Sequence, residues 1–184
     1  MRPFRMTGVI LIALFMWLPV VHADPPVDSN RFFELYDIEG RLFRLEQIAR
    51  EKGVKVVAVD FFWDGCEPCK KALPKWQELH DKFKDKGLKV VIVDVRAGDD
   101  IATAKRKLKA YFKEHPVAFS VVFDKYNMVA KEYGVVAADN SVSLPQIFLL
   151  DAQGQNLLQT ADCHKAAARI EELLAPQPLA VVSC

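Results

Sequence analysis

The chain has 184 residues, 51% of them hydrophobic and 27% charged, with 25 Lys+Arg against 24 Asp+Glu. That length suits one globular domain with a core of its own. The balanced charge excludes the basic excess of a nucleic-acid binder, and four Cys are too few for a disulfide-dense miniprotein.

Residues 1–23 read as an address, a signal peptide, rather than as part of the fold. Arg2 and Arg5 make a basic start, Val9 to Val21 carries no charge, and Val21-His22-Ala23 resembles a small-residue cleavage site. The apolar run is shorter than the ~20 residues of a membrane span and is interrupted by Pro19, so cleavage is expected, with an uncleaved anchor as the alternative. The mature chain would then have a formal charge of −1. Export places all four cysteines, at 66, 69, 163 and 184, where disulfides form and persist.

Residues 24–31 form a polar, Pro-containing lead-in, and residues 32–174 a single domain. Phe32 to Phe43 reads as two short strands around a turn at Glu39-Gly40, and Leu45 to Lys52 as a turn or two of helix. Val54 to Phe62 is a nearly continuous apolar, β-branched run, the pattern of a strand covered on both faces. Next comes a helix from about Cys66 to Lys84, with Ala72, Leu73, Trp76, Leu79 and Phe83 at three- and four-residue steps. Leu88 to Val95 is a second buried strand. Asp100 to Glu114 is an amphipathic helix expected to bury Ile101, Ala104, Leu108 and Tyr111; its basic stripe reads as solvated surface. Ala118 to Phe123 is a further strand and Lys125 to Tyr133 a short helix. Gln146 to Leu150 and Gln155 to Gln159 flank a hairpin turn, and Cys163 to Leu174 closes as a helix. Residues 175–184 are an irregular tail. Strands alternating with helices, with an antiparallel pair near the end, predict an α/β sandwich.

Cys66-Glu67-Pro68-Cys69 falls where a buried strand hands over to a helix. A helix N-terminus presents unpaired N–H groups and roughly half a positive charge, which favours a thiolate, the species that attacks disulfides. Pro68 lacks an N–H that the first turn leaves unpaired anyway. Cys66, at the terminus, is expected to be the exposed nucleophile, and Cys69, one turn in, the resolving thiol. A zinc site would need two more ligands and no second CxxC exists; a static disulfide would close too small a loop to restrain the unfolded chain. Asp60 lies inside the apolar strand. Burial would raise its pKa and suit it to exchange a proton with the inner thiol, whereas a strand-end Asp satisfied by water or a lysine is the bland alternative.

The segment from Asp60 to Lys70 (DFFWDGCEPCK), with Pro74 beyond it and Leu144-Pro145-Gln146-Ile147-Phe148 later, resembles the active-site strand, helix and cis-proline strand of thioredoxins. The long stretch between Cys69 and Pro145 is similar to the central helix–strand insertion of the TlpA/ResA-like exported thioredoxins, and the N-terminal hairpin agrees. The resemblance implies a thioredoxin-like α/β sandwich with that hairpin and insertion. It further implies Cys66 as attacking and Cys69 as resolving cysteine, Asp60 as the buried acid, and a redox-active Cys66–Cys69 disulfide. Trp63, Glu67, Pro68, Leu144 and Pro145 become motif and substrate-binding positions, with Pro145 cis and the Leu144 backbone pairing with an extended substrate. Two departures stand out. Gly65 replaces the Trp that usually precedes the first Cys, with Trp63 two residues earlier, which would leave the disulfide more open; Ala72 stands where ResA-like members carry an acid.

Cys163 and Cys184 are extra to the motif, and the tail is long enough to return for a Cys163–Cys184 disulfide. The histidines 80, 115 and 164 show no ligand spacing. The expectation is therefore an exported, periplasmic, monomeric thiol:disulfide oxidoreductase, more a reductant of the cytochrome c maturation type than an oxidant. It needs no metal or organic cofactor and no nucleic acid. Its partners are proteins carrying disulfides or dithiols and a membrane or soluble thiol donor. The alternatives are a thiol peroxidase of the same superfamily and a redox-inert or metal-binding thioredoxin-fold protein.

Overall fold

A computed structural model describes residues 31–96 and 98–175. The expected signal peptide, most of the lead-in, the tail beyond Ala175, and with it Cys184, lie outside the described residues.

Seven strands form one sheet in the order β2-β1-β5-β4-β3-β6-β7. They are β1 (Glu34–Asp37), β2 (Leu42–Arg44), β3 (Val56–Phe62), β4 (Leu88–Val95), β5 (Ser120–Asp124), β6 (Gln146–Leu150) and β7 (Asn156–Thr160). The helices are α1 (Leu45–Ala49), α2 (Glu67–Phe83), α3 (Ile101–Glu114), α4 (Met128–Glu132) and α5 (Cys163–Leu174). β3, β4 and β5 are mutually parallel, and antiparallel pairs extend the sheet on both sides. The N-terminal hairpin does not stand apart: β1 pairs with β5, so hairpin and insertion complete the same sheet.

Side chains alternate across a strand, and the two core clusters follow that alternation. On one face Val56, Ala58 and Phe62 of β3 and Leu88, Val90 and Ile92 of β4 pack against α2, α3 and α5. On the other, Val57, Val59 and Phe61 pack with residues of α1 and α4. Every β3 residue is buried, which accounts for the unbroken apolar run in its sequence. Phe61, Tyr133 and Phe148 meet edge-on or tilted with ring centroids 4.9–5.8 Å apart.

Two sequence expectations are corrected. α3 buries Ala104, Leu108 and Phe112, while Ile101 is exposed and Tyr111 half-buried. A stripe at four-residue steps faces the sheet, and the first-turn Ile101 falls outside it. Arg31, at the end of the expected lead-in, is tied into the fold. Its N–H donates to Gly154 O, its carbonyl accepts from the Tyr133 hydroxyl, and its guanidinium lies over the Tyr133 and Phe148 rings.

Phe148 is fully buried at the centre of the aromatic cluster. Phe148→Ala is expected to cost about 3–5 kcal/mol through the cavity it leaves, read as a lowered urea midpoint.

Candidate active site

β3 ends at Phe62 and α2 begins at Glu67, so the four residues between them turn the chain from sheet to helix. Cys66 is the N-cap of α2: its backbone is extended (φ −87°, ψ 97°) and its Sγ accepts from the Cys69 N–H at 3.3 Å. Ser, Thr, Asp or Asn usually fills this position; here a sulfur receives the unpaired N–H of the first turn. Cys66 and Cys69 are joined as a disulfide with Cα atoms 5.3 Å apart. Cys69 is fully buried and its Sγ faces the Phe61 carbonyl at 3.9 Å, whereas Cys66 is 8% exposed.

Cys66 is thus the more accessible sulfur, as its position at the helix terminus implies, but it is less open than the sequence pattern suggests. Nor does Gly65 leave open space beside the disulfide. A Cβ built on Gly65 would lie 2.5 Å from Cζ2 and 2.7 Å from Cζ3 of Trp63, so the indole occupies the space beside the Gly65 Cα. Trp63 fills from two residues upstream a place that a side chain at position 65 would otherwise take.

Asp60 points to the same sheet face as Ala58 and Phe62, the face that carries both cysteines. It is 1% exposed; Oδ2 accepts from Trp76 Nε1 at 2.8 Å, and Oδ1 is buried without a partner. Burial pushes its pKa up to about 8, against which the Trp76 hydrogen bond works. The helical periodicity marks Trp76 only as core. A buried indole needs an acceptor for its N–H, and that requirement is the signal in the sequence for its second role.

The acid of β4 is a site residue that the sequence reading does not single out. Asp94 sits in an apolar run as Asp60 does, is 4% exposed, and lies on the same sheet face, level with Phe62. Burial first, then the neighbouring Asp64, Asp124 and Asp99 charges, raise its pKa well above the carboxylate range. It lines a cavity of about 10 Å3 with Trp63, Asp64 and Arg96, room for one water.

The motif residues are set around this core. Glu67 and Lys70 form an ion pair at 2.9 Å on the first turn, with Lys70 5.8 Å from the Tyr111 ring centroid. That pair holds the Glu67 carboxyl below its ordinary value. Pro68 occupies the first turn and Pro74 the interior of α2. The Leu144–Pro145 bond is cis, both residues are half-buried, and the N–H and C=O of Leu144 make no hydrogen bond among the described residues.

Cys163 starts α5, half-buried against the cluster that contains the cysteine pair, and forms no disulfide with a described residue. Burial, then the charges of Asp162 and Asp60, push its thiol pKa up. No group of three or more His, Cys, Asp or Glu among the described residues is arranged to hold a metal, and no helix among them is long and apolar enough to cross a membrane.

A model of the AhpC/TSA family matches residues 28–155. Thiol-disulfide oxidoreductase ResA of Bacillus thuringiensis subsp. konkukian is 32% identical over 142 residues, covering 77% of this chain and 72% of that protein. Sporulation thiol-disulfide oxidoreductase A of Bacillus subtilis is 25% identical over 151 residues, 80% of this chain and 82% of that protein. A solved structure described as a putative thiol:disulfide interchange protein DsbE of Chlorobium tepidum matches with a TM-score of 0.64 at 28% identity, covering 80% of this chain and 96% of that one. The chain belongs to the AhpC/TSA family and, within it, to the ResA-like thiol–disulfide oxidoreductases. Its fold is the thioredoxin fold and it is an enzyme of thiol–disulfide exchange.

The raised pKa of Asp60 gives a stability prediction with a definite sign. Between pH ~4 and pH ~8 the unfolded chain has released this proton and the folded one has kept it, so stability falls as pH rises through that window. Asp60→Asn removes the contribution. Urea unfolding of the oxidised protein at pH 5 and pH 8 is expected to show the variant losing less stability than the wild type, by on the order of a few kcal/mol.

Proposed function

We propose that this protein is an exported bacterial disulfide reductant, with Cys66 as attacking thiolate and Cys69 as resolving thiol. The observation that carries the reading is the Cys66–Cys69 disulfide at the N-cap of α2, with Cys66 slightly exposed and Cys69 fully buried. In the reduced form the Cys69 N–H and the helix dipole favour a thiolate at Cys66.

Cys66 Sγ attacks one sulfur of a client disulfide. The S–S bond breaks, the released client thiolate takes a proton from water, and a mixed disulfide joins Cys66 to the client. Cys69 then loses its proton to the Asp60 carboxylate and attacks Cys66 Sγ. This expels the second client thiolate and leaves the enzyme oxidised, with Asp60 protonated. A group with a pKa near 8 in the oxidised form suits the role of holding that proton at neutral pH. Two electrons pass from enzyme to client, and a membrane or soluble dithiol donor restores the pair.

The client is a protein. The unpaired backbone of Leu144 supports docking of an extended client segment by main-chain hydrogen bonds. The basic, apolar start of the chain supports export to the periplasm, and the resemblance to ResA-like proteins supports clients of the cytochrome c maturation type. The Cys163–Cys184 link is part of the same proposal, as a clamp on the C-terminal tail.

Cys69→Ser is expected to accumulate the mixed disulfide with a client peptide, seen by mass under non-reducing conditions. Cys66→Ser should form none and lose roughly a thousandfold or more in reduction rate. Adduct formation at Cys69 in the Cys66→Ser variant, at the wild-type rate, would reverse the two assignments.

A further inference from the structure

Cys69 and Trp76 lie about two turns apart on one face of α2, and both are fully buried in the cluster that includes Ala58 and Phe62 of β3. Asp60 alternates to the same side of the sheet as those two strand residues. Its neighbours in register are Ile92 of β4 and Ile147 of β6, both buried and neither with a polar side chain. The carboxyl therefore takes its hydrogen bond from the helix. Trp76 Nε1 donates to Oδ2 at 2.8 Å, and Oδ1 is buried without a partner. Burial raises the pKa of Asp60, and the indole N–H opposes that rise; no lysine, arginine or histidine among the described residues takes part. The other titratable groups on this face are thiols, Cys69 of the pair and Cys163 of α5, whose pKa the Asp60 charge raises.

We propose that Trp76 is a positioning residue for the second half of the exchange: by engaging Oδ2 it leaves Oδ1 of Asp60 as the oxygen that takes the Cys69 proton. A protonated carboxyl oxygen is the poorer acceptor, so an N–H on Oδ2 sends the proton of the neutral acid to Oδ1. The same N–H stabilises the charged carboxylate more than the neutral acid, and so keeps a fraction of Asp60 ionised at neutral pH, ready to act as base. In this step the Cys69 proton passes to Oδ1 and the Cys66–Cys69 bond forms. The bond between Cys66 and the client sulfur breaks, and the client thiolate leaves with the electron pair. The inference rests on the exchange reaction and the role of Asp60 proposed above, and adds the group that orients that acid.

The test mixes the reduced full chain, carrying Cys163→Ser and Cys184→Ser in every sample, with one equivalent of a chromogenic aromatic disulfide. Attack by Cys66 releases a first coloured thiolate and attack by Cys69 on the mixed disulfide releases the second, so the two steps are read separately. Trp76→Phe keeps an aromatic ring in the core and removes the N–H. It is expected to leave the first phase within about twofold and to slow the second roughly threefold to tenfold at pH 7. The midpoint of the second phase's pH profile should move up by about one unit, so that the deficit closes at high pH. A packing defect alone would slow both phases at every pH. In an Asp60→Asn background, Trp76→Phe should not alter the second phase further. The wild type supplies a readout that needs no core substitution. In its oxidised form the Trp76 indole N–H resonance should shift with pH, sharing with the Asp60 carboxyl carbon a midpoint of about 8. An indole resonance that does not follow the carboxyl overturns the proposal, as does a second phase that Trp76→Phe slows equally at all pH. Trp76→Phe at the wild-type rate, beside a slow Asp60→Asn, overturns this inference alone; Asp60→Asn at the wild-type rate overturns the role of Asp60 itself.

Discussion

The site depends on the fixed position of one strand end. β3 is hydrogen-bonded along its length to β4 on one side and β6 on the other, and its residues are buried on both faces. Its C-terminal end therefore cannot shift without disturbing the whole sheet. Four residues later the chain must start a helix that packs back over the same strand, so the residue at the turn becomes the helix cap. Placing a cysteine there gives a sulfur at the positive end of a helix. Placing another three residues on brings a second within bonding distance, inside the core.

The buried carboxylates show how one residue type serves different ends. Asp124 is as buried as Asp60, but its two oxygens accept the N–H groups of Met128 and Ala130, so it organises the start of α4. Asp60 has one neutral donor, Trp76, and one oxygen without a partner. Neither a lysine nor an arginine offsets its charge, and the carboxyl keeps its proton well past the usual range. An oxygen so placed costs stability. Asp60 lies on the sheet face that carries the cysteine pair.

The space beside the residue before Cys66 is filled by a ring. The indole of Trp63 occupies the room that Gly65 leaves, and the disulfide stays largely covered although the residue before Cys66 has no side chain. A glycine beside a reactive sulfur thus reads as an opening in the sequence and as a seat in the structure. Asp94 and Arg96 line a small cavity together with that ring.

Much of the architecture is legible along the chain. The β-branched apolar run from Leu88 to Val95, the three- and four-residue steps of α2, and a CxxC at a strand–helix junction are local patterns set by backbone periodicity. The structure places β4, α2 and the Cys66 cap accordingly. The burial of Asp60 is also legible, because a lone carboxylate amid β-branched residues has nowhere else to point. Other features are decided only by tertiary packing. The pairing of β1 with β5, the Trp76–Asp60 hydrogen bond and the Trp63 ring over Gly65 join residues whose contact depends on how separate elements meet. Sequence carries the periodicity of each element, but the partner of a side chain is settled by the rigid geometry of the sheet and the helices laid across it.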